Sequence, residues 1–194
     1  MWVRFHRYHG INKVLRFLLL TNGFVLVSSA MLGPIYALFV EDIGGDLLDA
    51  SLAGTLFALA GGITVLLSGK YADRLTHPEY VMAGGYLILA AGFFSYLFAY
   101  SIWHILIIQA ILGLGEAIYS PAYNAIYSRH LDKSHEAAEW GAWEAMAYFV
   151  AAGGAIAGGY IATLLSFQWL FLIMSMFCLL SSIMIIVMPK SFFR

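Results

Sequence analysis

Long stretches of the chain contain no Asp, Glu, Lys or Arg. They cover residues 17–40, 50–69, 80–115, 117–128 and 145–189. A membrane-spanning helix needs about 20 apolar residues, so the third and fourth stretches, joined through Glu116, form two spans, and the last stretch forms two more. Breaks near residues 100–104 and 166–169 then predict six helices, at residues 14–40, 50–69, 80–100, 104–128, 141–165 and 168–188.

These six spans predict an all-α membrane protein, with residues 1–194 as a single transmembrane domain. Strands of a membrane β-barrel would be about half as long and would alternate apolar with polar residues, which these stretches do not. The composition agrees, because 62% of the residues are hydrophobic and 11% are charged, against about 25% charged in soluble domains. The net charge of -1 gives no indication of nucleic-acid binding.

Positive charge is confined to one side of the six-span arrangement. All ten basic residues lie on that side: Arg4, Arg7, Lys13, Arg16, Lys70, Arg74, Arg129, Lys133, Lys190 and Arg194. The first loop on the opposite side is acidic, with Glu41, Asp42, Asp46 and Asp49. Basic loops stay in the cytoplasm, so we expect a multi-pass protein of the plasma or inner membrane with both termini cytoplasmic. The first apolar run is too long for a signal peptide and should remain as a helix.

Two halves of the chain resemble one another at a spacing of about 87 to 89 residues. "GPIYALF" (33–39) matches "SPAYNAI" (120–126), Gly54 matches Gly141, and "SGKYADRL" (68–75) matches "AGGYIATL" (157–164). The shift crosses three helices, so the second unit has the opposite orientation in the membrane, as in transporters built from inverted repeats. The predicted units are residues 14–100 and 104–188. Chance similarity between glycine-rich spans is the alternative.

The loop "GKYADRLTH" (69–77) resembles the loop between helices 2 and 3 of the major facilitator superfamily, through Gly69, Ala72, Asp73 and Arg74. "AGGAIAGGY" (152–160) is similar to the helix-5 pattern of that family, with Gly154, Gly158 and Gly159 matching and Ala155 in place of a proline. The antiporter pattern of helix 4 is met at Gly113 and Gly115, but Gln109 stands where its arginine would be. The departure puts drug–proton antiport in doubt.

The resemblance implies one six-helix half of a twelve-helix transporter, similar to its amino-terminal domain. If the chain is complete, a second copy or a separately encoded half must form the other wall of the cavity, and twofold pairing is the commonest closure. An excised domain is the alternative. The expected partners are therefore the lipid bilayer, a small solute and a homodimeric or second transporter half.

Glu116 lies at the midpoint of the fourth predicted helix, where a charge costs about 2.5 to 3.5 kcal/mol on insertion scales. It shares a helical stripe with Gln109, Gly113, Ser120, Tyr123 and Tyr127, and Asn124 lies at the edge of this stripe. We expect the stripe to line a cavity and Glu116 to carry a proton, because a low dielectric disfavours the ionised form. A carboxyl paired with a neighbouring helix is the alternative. Asn22 and Gln109 are candidate partners in the substrate and proton pathway.

A conformational switch is expected at the cytoplasmic surface. The resemblance implies that Asp73, with Gly69 and Arg74, approaches the start of helix 5 in the opposite unit, "EWGAW" (139–143), when the cytoplasmic side is closed. A carboxylate at a helix amino terminus gains about 0.3 to 1 kcal/mol. Simple topological charge is the alternative. Glu144 is a candidate for the inner vestibule, or for pairing with a nearby base.

Glycines suggest that helices 2 and 5 are closely packed, chiefly at Gly154, Gly158 and Gly159 in helix 5. Helix 6 has neither glycine nor charge and is expected to face lipid. Pro34 and Pro121 occupy matched positions and predict bends. The single Cys178 is expected to be a packing residue, with no disulfide.

The sequence favours a secondary transporter, symporter or antiporter, over two other classes. A non-transporting assembly or sensor protein built on a transporter half is the main alternative. An enzyme is not expected, because the chain lacks His-Glu-x-x-His, Gly-x-Ser-x-Gly and paired intramembrane aspartates. No cofactor is expected and no metal, since His130 and His135 lie in a solvated loop without ligand spacing. The Gly69–Lys70 pair lacks the rest of a phosphate-binding loop.

Overall fold

The computed structural model describes residues 10–72 and 76–193, and within them every regular element is helical. The helices are α1 (Lys13–Leu32), α2 (Tyr36–Asp42), α3 (Leu47–Ala72), α4 (Pro78–Ser95), α5 (Ile102–Arg129), α6 (Glu136–Leu164) and α7 (Phe167–Val187). Taken together as one segment, α1 and α2 form the first of six segments that are long and apolar enough to cross a membrane. The prediction of six spans in an all-α fold is confirmed.

Two boundaries differ from the prediction for a physical reason. The helix α6 begins at Glu136 rather than at residue 141, with Glu136 and Glu139 in its first turn, where carboxylates favour the positive end of the helix dipole. Pro34 lies in a short 3-10 turn, Gly33–Ile35, that separates α1 from α2, because proline cannot donate the backbone hydrogen bond that a continuous helix needs. Pro121 lies inside α5 without interrupting it.

The helices pack as two groups joined at one seam. The first group is α1 with α6 and α7, the second is α5 with α3 and α4, and the extensive contact between α4 and α7 joins them. The helices α1 and α5 barely touch. The helices α3 and α6 lie at the periphery and bury few residues. We call the end that bears the described lysines and arginines the basic end, and the end that bears Glu41 to Asp49 the acidic end.

The expectation that the last helix faces lipid is wrong. One face of α7 is buried between α1 and α4, with Cys178 at its centre. Four serine hydroxyls donate to carbonyl oxygens across these contacts: Ser175 to Ala90 and Ser181 to Thr21 at 2.8 Å, Ser182 to Ala83 at 2.9 Å, and Ser28 to Met174 at 3.1 Å. Such hydrogen bonds hold helices together in a bilayer, where apolar burial gives little driving force.

Glycines bring α6 close to α1. A Cβ atom added at Gly158 would overlap the carbonyl of Met31, and one added at Gly154 would lie 2.8 Å from the Cβ atom of Ala30. A Cβ atom at Gly159 would meet nothing within 4 Å, so this glycine makes no close helix contact, contrary to expectation. Small residues thus explain how α6 approaches α1 even though most of α6 is peripheral.

A matched pair of substitutions tests this contact. We expect Gly158→Ala to lower the free energy of unfolding by about 1 to 3 kcal/mol, the usual cost of overpacking, because the added methyl group meets the Met31 carbonyl. Gly159→Ala should leave stability unchanged or raise it, since alanine favours a helix. Thermal unfolding in one detergent measures both. Equal effects of the two substitutions would contradict the proposed contact.

Candidate functional site

Glu116 lies near the middle of α5, about halfway along the span. Its side chain is exposed in the single chain, and no described residue gives it a hydrogen bond or an ion pair. It borders two adjoining depressions. The first extends from α3 and α5 to α1, α2 and α4, and the second lies between α3 and α5. Glu116 therefore lies at the midpoint of its helix, and none of the residues that the structure describes pairs with its carboxyl.

The first depression is a cleft in the half of the bundle towards the acidic end. Its volume is about 280 Å³, and its lining residues come from the five helices α1 to α5, from the α1–α2 turn and from Tyr96 just after α4. Polar groups in the lining are Glu116, Gln109, Ser29, Tyr36 and Tyr96, and the remainder is mainly aliphatic or aromatic. An apolar cleft with a few convergent polar groups is typical of a small-molecule site.

Two tyrosine hydroxyls in this cleft have no hydrogen-bond partner. The hydroxyls of Tyr36 and Tyr96 are both inaccessible to solvent and unpaired, although Tyr36 lies beside Gln109 and Tyr96. The Tyr96 ring stacks on Phe171 with ring centroids 4.8 Å apart, which fixes its position. A buried polar group without a partner is costly, and Gln109 and the two hydroxyls lie close enough to become partners of one another after a small side-chain movement.

Only part of the predicted polar stripe of α5 lines a depression: Gln109 borders the first one with Glu116, and Gly113 and Ser120 border the second one with it. Gly113 packs on the backbone of α3, at the Phe57 carbonyl, and Tyr123 and Tyr127 are buried. Asn124 is exposed. Because α5 is contacted by α3 on one side and α4 on another, residues of a single stripe meet different surroundings.

No hydrogen bond joins Asn22 to Glu116 among the described residues. Asn22 is buried in α1, and its side-chain oxygen accepts a hydrogen bond from the hydroxyl of Tyr86 at 3.3 Å. The suggested contact between Asn22 and Glu116 is therefore replaced by a contact between α1 and α4. The structure gives Gln109, but not Asn22, a position in the cleft with Glu116.

The predicted switch residues are only partly visible. Asp73 and Arg74 lie outside the described residues. Gly69 has open space where a side chain would be, and Glu144 is exposed on α6. Within the described residues, no group of three His, Cys, Asp or Glu side chains is arranged to hold a metal ion.

Aromatic residues close the basic end between α5 and α6. Tyr123 stacks with Tyr127 at a centroid distance of 5.6 Å, and Tyr127 contacts Trp140 at 4.9 Å. The hydroxyl of Tyr127 donates to the backbone oxygen of Glu139 at 2.6 Å. We call Tyr123, Tyr127, Glu139, Trp140 and Trp143 the basic-end cluster.

Sequence reasoning missed the two cleft tyrosines and Glu139. Tyr36 belongs to the repeated small-Pro-x-Tyr segment and could have been singled out with Tyr123. Tyr96 carries no such signal, because its position depends on the packing of α4 against α7. Glu139 resembled an ordinary charge at the start of a helix.

Comparison with known proteins identifies the family. A family model described as the Major Facilitator Superfamily matches residues 18–191. A protein named "Uncharacterized MFS-type transporter YitZ" from Bacillus subtilis is 23% identical over 161 residues, which are 81% of this chain and 95% of that protein.

Two further relatives are much longer than the matched segment. "Multidrug resistance protein MdtG" of Serratia proteamaculans is 23% identical over 118 residues, 59% of this chain and 28% of that protein. The protein of the same name in Salmonella typhimurium is 24% identical over 113 residues, 56% of this chain and again 28% of the relative. The match therefore spans about a quarter of these two relatives.

Two tyrosine-to-phenylalanine variants test the unpaired hydroxyl. Tyr96→Phe removes a buried group that lacks a partner and should stabilise the ligand-free protein by about 1 kcal/mol. Tyr86→Phe removes the hydrogen bond to Asn22 and should destabilise it by about 0.6 kcal/mol. Thermal unfolding of both variants in the same detergent gives the comparison. Destabilisation by Tyr96→Phe would mean that its hydroxyl is satisfied.

Proposed function

Because the chain belongs to the major facilitator superfamily, we propose that it is a secondary active transporter of a small solute that works by alternating access. The proposal rests chiefly on Glu116, an exposed and unpaired carboxyl at mid-span beside a cleft of about 280 Å³. The transporter is a homodimer or pairs with a second six-helix unit, and its coupling ion is a proton that Glu116 binds.

The energetics of Glu116 favour a paired assembly. A charge facing lipid at this depth costs about 2.5 to 3.5 kcal/mol on insertion scales, and no described residue offsets that cost with a hydrogen bond or an ion pair. A second unit across the α3–α5 surface would enclose Glu116 beside water.

The cleft supports solute binding next to the carboxyl. Its lining is mostly apolar, and its polar members include the carboxyl of Glu116, the amide of Gln109 and two tyrosines whose hydroxyls would have to turn towards a solute to bind it. A solute entering from the acidic end would meet Tyr36 and Tyr96 before Glu116. Hydrogen bonds to these groups fix the orientation of a small molecule, while aromatic and aliphatic residues enclose its body.

Equivalent contacts in the two halves support the inverted repeat. The Ser68 hydroxyl of α3 donates to the Ala117 carbonyl of α5 at 2.8 Å, and Gly154 of α6 lies against Ala30 of α1. Ala30 matches Ala117 at the spacing of the first repeated segment, whereas Ser68 matches Ala157, one helical turn from Gly154, so the two contacts lie at neighbouring positions of the repeat. The matched tyrosines, Tyr36 and Tyr123, both have buried hydroxyls without partners. Two similar units of opposite orientation are the basis of rocking motions in transporters.

Proton coupling is tested with Glu116→Gln. In vesicles with an imposed pH gradient, a panel of amines, carboxylates and sugars is screened for flux, with an internal pH dye reporting proton movement. We expect a transported solute to move protons with the native protein. Glu116→Gln should abolish the pH dependence while solute exchange continues, because glutamine cannot release a proton.

Glu41→Gln is the matched control, since Glu41 is exposed at the acidic end and should retain the native pH profile. An unchanged pH profile in Glu116→Gln would remove this residue from coupling. Absence of flux for every solute, together with a stable complex, would favour an assembly or sensor role instead.

The paired assembly is tested by mass. Native mass spectrometry of the protein released from lipid nanodiscs should give the mass of two six-helix units, because Glu116 needs a second wall. A monomer that retains full transport in the same lipid would contradict the pairing.

A further inference from the structure

An apolar groove lies between α6 and α7, with α1 as its floor. It is lined by residues within 19–27 of α1, by Met146 and Val150 of α6 and by Phe177 of α7, and its volume is about 490 Å³. We call it the α6–α7 groove. All of its lining residues are apolar, so it suits a hydrocarbon chain and not the polar part of a solute.

The course of α6 explains why the groove exists. Gly154 and Gly158 bring the half of α6 towards the acidic end onto α1, whereas Trp140, near the start of α6, packs on Tyr127 of α5 at a centroid distance of 4.9 Å. The helices α6 and α7 therefore touch each other little, although both pack on α1. Gly23 keeps the floor of the groove low, since a Cβ atom added there would lie 3.2 Å from the sulfur of Met146.

The groove occupies one half of the membrane thickness. In the spans Lys13–Asp42 and Glu136–Leu164 the lining residues lie between the basic end and the midpoint, and Phe177 is at the midpoint of Phe167–Val187. Residues 19–27 of a helix rise by about 12 Å, close to the roughly 15 Å of hydrocarbon in one leaflet. The groove therefore matches an acyl chain of the leaflet at the basic end, and it is too short for a helix that crosses the whole membrane.

Positive charge continues the line of the groove to the membrane surface. Arg16 is four residues before Leu20 and seven before Gly23, so the three share one face of α1, and Lys13 lies one turn nearer the basic end. Lys13 and Arg16 are both exposed. The Arg16 guanidinium reaches back beside Gly10, 3.3 Å from the position of an added Cβ atom, and thus lies level with the headgroups. Basic side chains at this level attract anionic headgroups.

We propose that the α6–α7 groove binds a phospholipid with an anionic headgroup, with one acyl chain in the groove and the phosphate beside Lys13 and Arg16. An acyl chain is as apolar as the surrounding lipid, so the headgroup selects the lipid and the groove holds its chain in place. Glu144, two residues before Met146, lies on the other side of α6 and does not face the headgroup. The site does not depend on the proposed solute or on its coupling ion.

Native mass spectrometry tests the headgroup. The protein is reconstituted with equal amounts of phosphatidylglycerol and phosphatidylcholine that have the same acyl chains, and is then released in a mild detergent. We expect bound phosphatidylglycerol to predominate. The double variant Lys13→Gln, Arg16→Gln should lower this preference about fivefold for each basic residue removed, the usual contribution of a lysine or arginine near an anionic surface.

Filling the groove tests the acyl chain. Val150→Trp should remove most of the retained lipid of either kind, because the indole takes the place of the chain. Leu20→Trp fills the groove from α1 at an exposed position, so the test stands even if Val150→Trp does not fold. Leu179→Trp is the control, since Leu179 is exposed on α7 outside the groove, and it should retain phosphatidylglycerol as the native protein does.

Equal retention of the two lipids by the native protein would overturn the proposal, and so would undiminished retention in the filling variants. Filling variants that keep the lipid but lose the mass of two six-helix units would assign the groove to the second unit instead. Loss of the lipid with the paired mass retained would support the lipid site. Selective retention of phosphatidylglycerol without flux of any solute would refute the proposed transport and leave the lipid site in place.

Discussion

A polar group within a bilayer must be satisfied by protein or by enclosed water, because hydrocarbon offers no hydrogen bonds. This constraint governs the packing of the whole chain. Serine hydroxyls of α7 and α1 donate to carbonyl oxygens of neighbouring helices, and glycines let α6 approach the backbone of α1. Among the residues that the structure describes, the constraint is not met at Glu116 or at the hydroxyls of Tyr36 and Tyr96, and the proposed second unit and solute would meet it there.

The number and length of the spans could be predicted because the bilayer fixes both. The orientation of each helix in the bundle could not. Lipid is as apolar as leucine, so hydrophobicity does not distinguish a helix in the interior from one at the periphery. The helix α7 is the most hydrophobic span and yet is buried on one face. Its three serines, Ser175, Ser181 and Ser182, were the available indication, since hydroxyls in a membrane helix usually meet another helix.

The candidate site could be predicted only where one helix determines it. Glu116 was identified from its depth in α5, and Gln109 from its spacing two turns away. The other members of the cleft, Tyr36 and Tyr96, come from helices distant in sequence, and no local pattern shows that they meet. Periodicity placed Gly113 and Ser120 beside Glu116 but failed for the buried Tyr123 and Tyr127, because α5 is contacted on several sides and its stripe is divided between neighbouring helices.

The difference between the two ends of the molecule bears on mechanism. Under the proposed alternating access, both ends could not be open at once without a leak, so the two proposed repeat units would differ in state at any moment. Here the region around Tyr36 is an open cleft, whereas the region around Tyr123 is closed by aromatic rings over a buried acid. Both tyrosine hydroxyls lack partners, so each region has polar groups that hydration or a solute would satisfy. The proposed alternating access requires matched sequences in different states, and it would place the opening of the opposite state at the closed end, near the Tyr123 hydroxyl.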